Sequence, residues 1–169
     1  AYQTVGHPIF ALAEQWSINV NKTIASIPLE DRIPFPHVYE SIETIYAVAD
    51  IAVVSSANNA AVTAEWEQAG LTKFVTGIFT QESGSKKQVI ASLVQTGGYG
   101  SGCMLKLGDA PGDLQAAQGN GVFFYPIIPE KEAESWQQFK DTYLRLFIDG
   151  RYAEQERQLI DRFYSELED

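Results

Sequence analysis

Cysteine is almost missing from this chain: Cys103 is the only one in 169 residues. One thiol cannot form a disulfide within the chain, so a bridged secreted scaffold is excluded and a reducing, cytoplasmic compartment is expected. Cys103 falls in an apolar stretch that reads as strand, where a thiol behaves as a small buried hydrophobe. Histidine is scarce too. His7 and His37 have no second ligand at useful spacing, so both read as structural rather than catalytic or metal-binding. Cations are in the minority, with 12 Lys plus Arg against 22 Asp plus Glu and a formal net charge of −10. That sign excludes nucleic acid and anionic membrane as partners, because both need a basic surface. No apolar run approaches the ~18 residues of a membrane span, and no signal peptide is visible. What remains, at 45% apolar content, is material for one compact core and little more.

The order of patterns divides the chain into three. In residues 1–33, Ile9, Leu12, Ala13 and Trp16 keep one face apolar at helical spacing, and Pro28, Pro34 and Pro36 then break the pattern. Residues 34–128 alternate helix and strand. A helix through Val38, Ile42 and Ile45 leads to strand 51–55 and a second helix ending at Gly70. Strand 74–79, helix 84–96, strand 103–107, helix 111–119 and strand 122–125 follow. This alternation predicts an α/β fold, a three-layer sandwich around a parallel sheet with flanking helices. Residues 129–169 carry Trp136, Phe139, Tyr143 and Phe147 at helical spacing. Gly150 separates them from Tyr152, Leu159, Phe163 and Leu167, which predicts a helical hairpin packed on the core.

In a parallel sheet, ligands gather at the carboxyl ends of the strands, and the chain concentrates reactive residue types there. Ser55 and Ser56 close the apolar run Ile51–Val54 ahead of a helix. Small hydroxyls and free N–H groups at such a turn suit phosphate; the plainer alternative is that Ser56 or Asn58 caps the next helix. Lys86 and Lys87 open another helix. Gly108-Asp109-Ala-Pro-Gly-Asp113 ends a third strand. With Pro111 at the first helical turn, its two carboxylates lie four positions apart and share a direction, which suits a hard divalent cation. Solvated helix-capping acids are the plainer reading. Lys106 stands inside a strand, where it either reaches a sheet edge or pairs with an acid.

Taken in this order, hydroxyl, lysine and aspartate pair resemble the haloacid dehalogenase superfamily of phosphohydrolases. Ser55 is similar to that family's second motif, Lys86 in Gly-Ser-Lys to its third, and Gly108-Asp109-Ala-Pro-Gly-Asp113 to its fourth. Asn120-Gly-Val-Phe-Phe-Tyr-Pro126 resembles the last core strand, and Pro34-Phe35-Pro36-His37-Val38 the re-entry from a helical cap. The resemblance implies a Rossmann-like core over residues 34–128, with residues 1–33 the remnant of a cap. It also implies a Mg²⁺-dependent phosphatase of a small phosphorylated metabolite, working through an aspartyl-phosphate. Ser55, Ser56 and Lys86 would hold phosphate, Lys86 would act catalytically by neutralising charge, and Asp109 and Asp113 would serve the metal.

The family's first motif, which carries the nucleophilic aspartate, has no counterpart here. Asp31 follows Glu30 in a proline-flanked loop without a preceding strand, and Asp50 precedes its strand rather than ending it. The resemblance implies that the first strand lies before residue 1 and fills the centre of the sheet, between the strands ending at Ser55 and Leu107. Without it those strands either pair directly or leave a gap, and exposed backbone in a gap favours self-association. Two alternatives share these residues: a sugar phosphomutase, for which the cap segment offers no basic cluster, and a non-catalytic binding or scaffold module.

Overall fold

The structure, a computed structural model, describes residues 8–28, 33–100 and 102–167. His7, Glu30, Asp31 and Ser101 lie outside the described residues. The chain divides into two compact units, Ala1–Ile33 and Pro34–Asp169. The first contains one 19-residue helix, α1 (Pro8–Ser26). Leu12, Ala13 and Trp16 on it are exposed.

The second unit runs α2 (Val38–Tyr46), β1 (Ala52–Val54), α3 (Asn59–Gln68), β2 (Gly77–Phe79), α4 (Lys86–Thr96), β3 (Leu105–Gly108), α5 (Pro111–Gln118) and β4 (Phe123–Pro126). Three helices close it: α6 (Glu132–Gln138), α7 (Leu144–Ile148) and α8 (Ala153–Leu167). A π-helical stretch, Phe139–Tyr143, joins α6 to α7. Gly150, at φ +71°, then supplies the left-handed residue that reverses the chain toward α8.

The strands are shorter than the apolar runs that announce them. The start of the expected strand 74–79 is instead a 3₁₀ turn, Thr72–Phe74, and only Gly77–Phe79 is extended. Phe74 is the cause: it is buried against Ile42 and Leu71 under α2, which holds this part of the chain off the sheet. Cys103 also departs from expectation. It is exposed and precedes β3, because its N–H closes a turn on the Gly100 carbonyl at 3.0 Å and Gly102 bends the chain at φ +85°.

Sheet continuity is the larger difference. β1 pairs in parallel with β2 (Ala52↔Gly77 to Val54↔Phe79), and β3 in parallel with β4 (Leu105↔Phe123 to Gly108↔Pro126). The two pairs form separate two-stranded sheets, and among the described residues no ladder joins β1 to β3. Helix α4 packs on α5 and β1, while α5 covers β3 and β4.

Packing is strongest around β4. Phe124 is buried with Leu114, Ala117 and Phe163, and Tyr125 with Phe139 and Tyr152. Most aromatic residues of the last third are therefore core, whereas Tyr164 is exposed. Trp136, Tyr143 and Phe147 pack on this second cluster. Helix α8 also closes the outer edge of β4. Glu156 accepts from the Phe124 N–H at 2.8 Å, and the Tyr152 hydroxyl donates to the Phe124 carbonyl at 2.7 Å. No described helix is long and apolar enough to cross a membrane.

Candidate active site

Each strand of the α/β segment delivers a polar loop at its carboxyl end, and the loops differ in how tightly they are held. After β1, the Ser55 N–H donates to the Phe79 carbonyl at 2.9 Å, extending the ladder by one residue. Its Oγ accepts from the Ala57 N–H at 3.1 Å, an arrangement that leaves the hydroxyl proton able to donate elsewhere. Ser56 is exposed. Asn58 is the N-cap of α3, its side chain accepting from the Ala61 N–H at 2.9 Å. The plain capping role thus belongs to Asn58, and both serines remain in the loop.

After β2 the loop is knitted to the first. Gln81 N–H donates to the Ala57 carbonyl at 3.1 Å, and Glu82 accepts from the Asn59 N–H at 3.3 Å. Buried Thr80 donates to the other Glu82 oxygen at 2.6 Å. That hydroxyl bond is the main cause holding the Glu82 carboxyl below the ordinary carboxylate range. Ser85 then opens α4 with a reciprocal cap: its Oγ accepts from the Gln88 N–H at 3.3 Å, and Gln88 accepts from the Ser85 N–H at 3.0 Å. The cap fixes the helix start, and Lys86 is its first residue.

The Lys86 ammonium lies 2.8 Å from Asp113 Oδ1, and Lys106 Nζ reaches the same oxygen from β3 at 3.1 Å. Asp113 is 1% exposed, so one buried carboxylate serves two ammonium groups. Burial is the main influence on Lys106 and pushes its ammonium below the ordinary lysine value. The charges of Asp113 and Asp109 oppose that push, and Lys86 adds to it. Backbone geometry makes this approach possible: a Cβ on Gly108 would stand 2.4 Å from Asp113 Cβ, so only glycine fits below the first turn of α5. Asp109 follows β3 and is exposed.

Lys86, Lys106, Asp113 and Asp109 are thus brought together at the exits of β2 and β3. Lys87 is not part of the cluster; its carbonyl accepts from Asn120 at 3.1 Å. Ser55 and Ser56 make no hydrogen bond or ion pair to the lysines, and are joined to them through the β2 loop that leads into α4. Asp113, expected as a metal ligand, has Oδ1 engaged by both lysines. Of the alternatives for Lys106, pairing with an acid is the one found. The Thr80–Glu82 pair had no place in the sequence reading. Its signal was a Thr three residues before Ser83, a capping pattern closing on the Ser83 hydroxyl at 3.3 Å. Among the described residues no three His, Cys, Asp or Glu side chains form a metal-binding group.

Residues 9–127 match the family model described as haloacid dehalogenase-like hydrolase. The chain belongs to that family. The matched span opens inside α1 and closes just after β4, so α6, α7 and α8 lie beyond it. No curated protein and no solved structure matches the chain. As a haloacid dehalogenase-like hydrolase, the protein has its polar cluster at the carboxyl ends of parallel strands, the edge where open α/β sheets place ligands.

Proposed function

We propose that the protein is the larger part of a Mg²⁺-dependent phosphatase acting on a small phosphorylated metabolite, built as a three-layer α/β core. One observation carries the reading: two lysines from different elements converge on a buried carboxylate beside an exposed aspartate at the strand exits. Such a set presents cationic N–H donors to an anion while its own desolvation is offset by Asp113.

In this reading Lys86 offsets charge on a phosphoryl oxygen. Lys106 adds a second positive charge from below, and Asp113 holds both ammonium groups in place. Ser55 donates its hydroxyl proton to a phosphate oxygen. Asp109 fits Mg²⁺: it is an exposed hard oxygen donor, and this ion keeps several waters and needs only one or two carboxylates beside substrate oxygens. Asp113 fits Mg²⁺ less well than Asp109, since its Oδ1 is paired with two cations and only Oδ2 is left to coordinate. Bound there, Mg²⁺ would supply charge neutralisation on the transferring group. The attacking aspartate and its acid–base partner belong to a strand outside these residues.

Calorimetric titration with inorganic phosphate and Mg²⁺ tests the reading without requiring turnover. Saturable binding is expected, weakened at least tenfold in Lys86→Met and stripped of its Mg²⁺ dependence in Asp109→Asn. Absence of binding at tens of millimolar phosphate, or indifference to both substitutions, would refute it.

A further inference from the structure

We propose that Glu82 is a positioning residue for the anion site: its carboxylate ties the loop that carries Ser55 to the loop that carries Lys86. The inference rests on the phosphate reading of that site and adds what sets its spacing. Ser55 and Lys86 leave different strands, and their own bonds go to Ala57 and Asp113 respectively. A hydroxyl and an ammonium serve one ligand only if their loops are held in register. A hydrogen-bonded path joins those loops. The Ala57 N–H donates to Ser55 Oγ at 3.1 Å, and the Ala57 carbonyl accepts from the Gln81 N–H at 3.1 Å. Two residues on, the Asn59 N–H donates to Glu82 Oε1 at 3.3 Å, while buried Thr80 donates to Oε2 at 2.6 Å. The Thr80 N–H donates in turn to Ser83 Oγ at 3.3 Å. Gly84, at φ +109°, then turns the chain into the Ser85 cap that starts α4 at Lys86.

A carboxylate suits this place. Asn59 is the first residue of α3, where an N–H has no partner within the helix and the helix dipole favours negative charge. An ionised carboxylate has two oxygens that only accept, so it joins a backbone donor of one loop to a hydroxyl of the other. Charge strengthens both bonds. The Thr80 hydroxyl is the main cause that keeps the Glu82 carboxyl low, the Glu82 and Asn59 N–H groups and the Gln81 amide add to it, and no cation is among the causes. Asp113 makes the contrast, since its Oδ1 is paired with two lysines. Glu82 instead has both oxygens engaged by donors of the two loops, the arrangement of a tie.

Glu82→Ala removes the tie. Glu82→Gln keeps it in neutral form, its carbonyl accepting from Asn59 and its amide donating to the Thr80 hydroxyl. Tyr152→Phe removes a hydrogen bond at the far edge of β4 and is the destabilised control. Each chain is titrated with inorganic phosphate and Mg²⁺ by NMR, following the Ser55 amide and the Lys86 ammonium. In the parent and in Tyr152→Phe the two signals should saturate together. In Glu82→Ala the Lys86 signal should still saturate while the Ser55 signal needs more phosphate, and affinity should fall about fivefold, the order of one lost hydrogen bond. Glu82→Gln should restore most of both. Without ligand, amide exchange at Asn59 and Gln81 should quicken in Glu82→Ala. Signals that stay in step in Glu82→Ala, or unchanged exchange there, would overturn the role of Glu82 and leave the anion site standing. Signals that part equally in Tyr152→Phe would overturn it too, as the mark of general loosening. A parent that binds no phosphate would overturn the site reading itself, and the inference with it.

Discussion

Replacing Asp113 by Asn removes the one negative charge that two lysines share while nearly preserving volume. Removing one partner of a buried ion pair costs about 3–5 kcal/mol, because it strands the other charge. Here the stranded groups are partly wet: the side chains of Lys86 and Lys106 are 24% and 17% exposed. That access lowers the expected cost to roughly 2–3 kcal/mol, or about 5–10 °C in Tm for a chain of this size. Urea denaturation at pH 7 reads the difference directly. The alkaline arm adds a second signature. Burial already holds the Lys106 ammonium below its ordinary 10.5, so the unfolded chain binds more protons and stability rises as pH climbs toward that value. Without Asp113 this rise should steepen, and Asp113→Asn should recover part of its deficit near pH 10. A variant within 0.5 kcal/mol of the parent, with an unchanged pH slope, would refute the shared-charge account.

Gly108→Ala should destabilise by about 1–3 kcal/mol, since its Cβ would overlap Asp113 and force α5 outward; a melt indistinguishable from the parent would contradict this contact. Above pH 10 the protein should lose stability. Burial raises the phenols of Tyr125 and Tyr152 above their ordinary 10.0, so these groups favour the folded state below that pH and forfeit the contribution as the medium turns more alkaline. Denaturant midpoints for Tyr125→Phe/Tyr152→Phe should start lower, by the two lost hydrogen bonds, and fall less between pH 10 and 11. The purified 169-residue chain should not release phosphate steadily from p-nitrophenyl phosphate with Mg²⁺, because in the proposed reading the attacking aspartate is not among these residues; sustained turnover would show otherwise.

Much of this was legible in the residues themselves. Alternation of apolar runs with helical patterns marks the strand–helix order from Val38 to Pro126, and the Lys86-Lys87 pair and Pro111 mark where α4 and α5 begin. Only the resemblance of Gly-Ser-Lys to the family's third motif favoured Lys86 over Lys87. Tertiary forces account for the rest. Phe74 looks like strand by propensity, yet burial under α2 is worth more than one further ladder residue. Cys103 looks buried by its neighbours, but the glycines before it turn the chain and leave it outside β3. The engagement of Asp113 by Lys106 was hidden because a strand lysine gives no sign of which face its ammonium takes. The break between β1 and β3 depends on what lies between them, which alternation within either pair does not encode.

The central claim is that Ser55, Lys86 and Asp109 serve one anion together. Backbone and lysine-ammonium resonances followed by NMR during titration with phosphate and Mg²⁺ test this most directly. The account predicts that signals of all three residues move along one saturation curve, with Lys106 and Asp113 following. Shifts confined to one of the three, or to surface lysines such as Lys140 and Lys73, would contradict it.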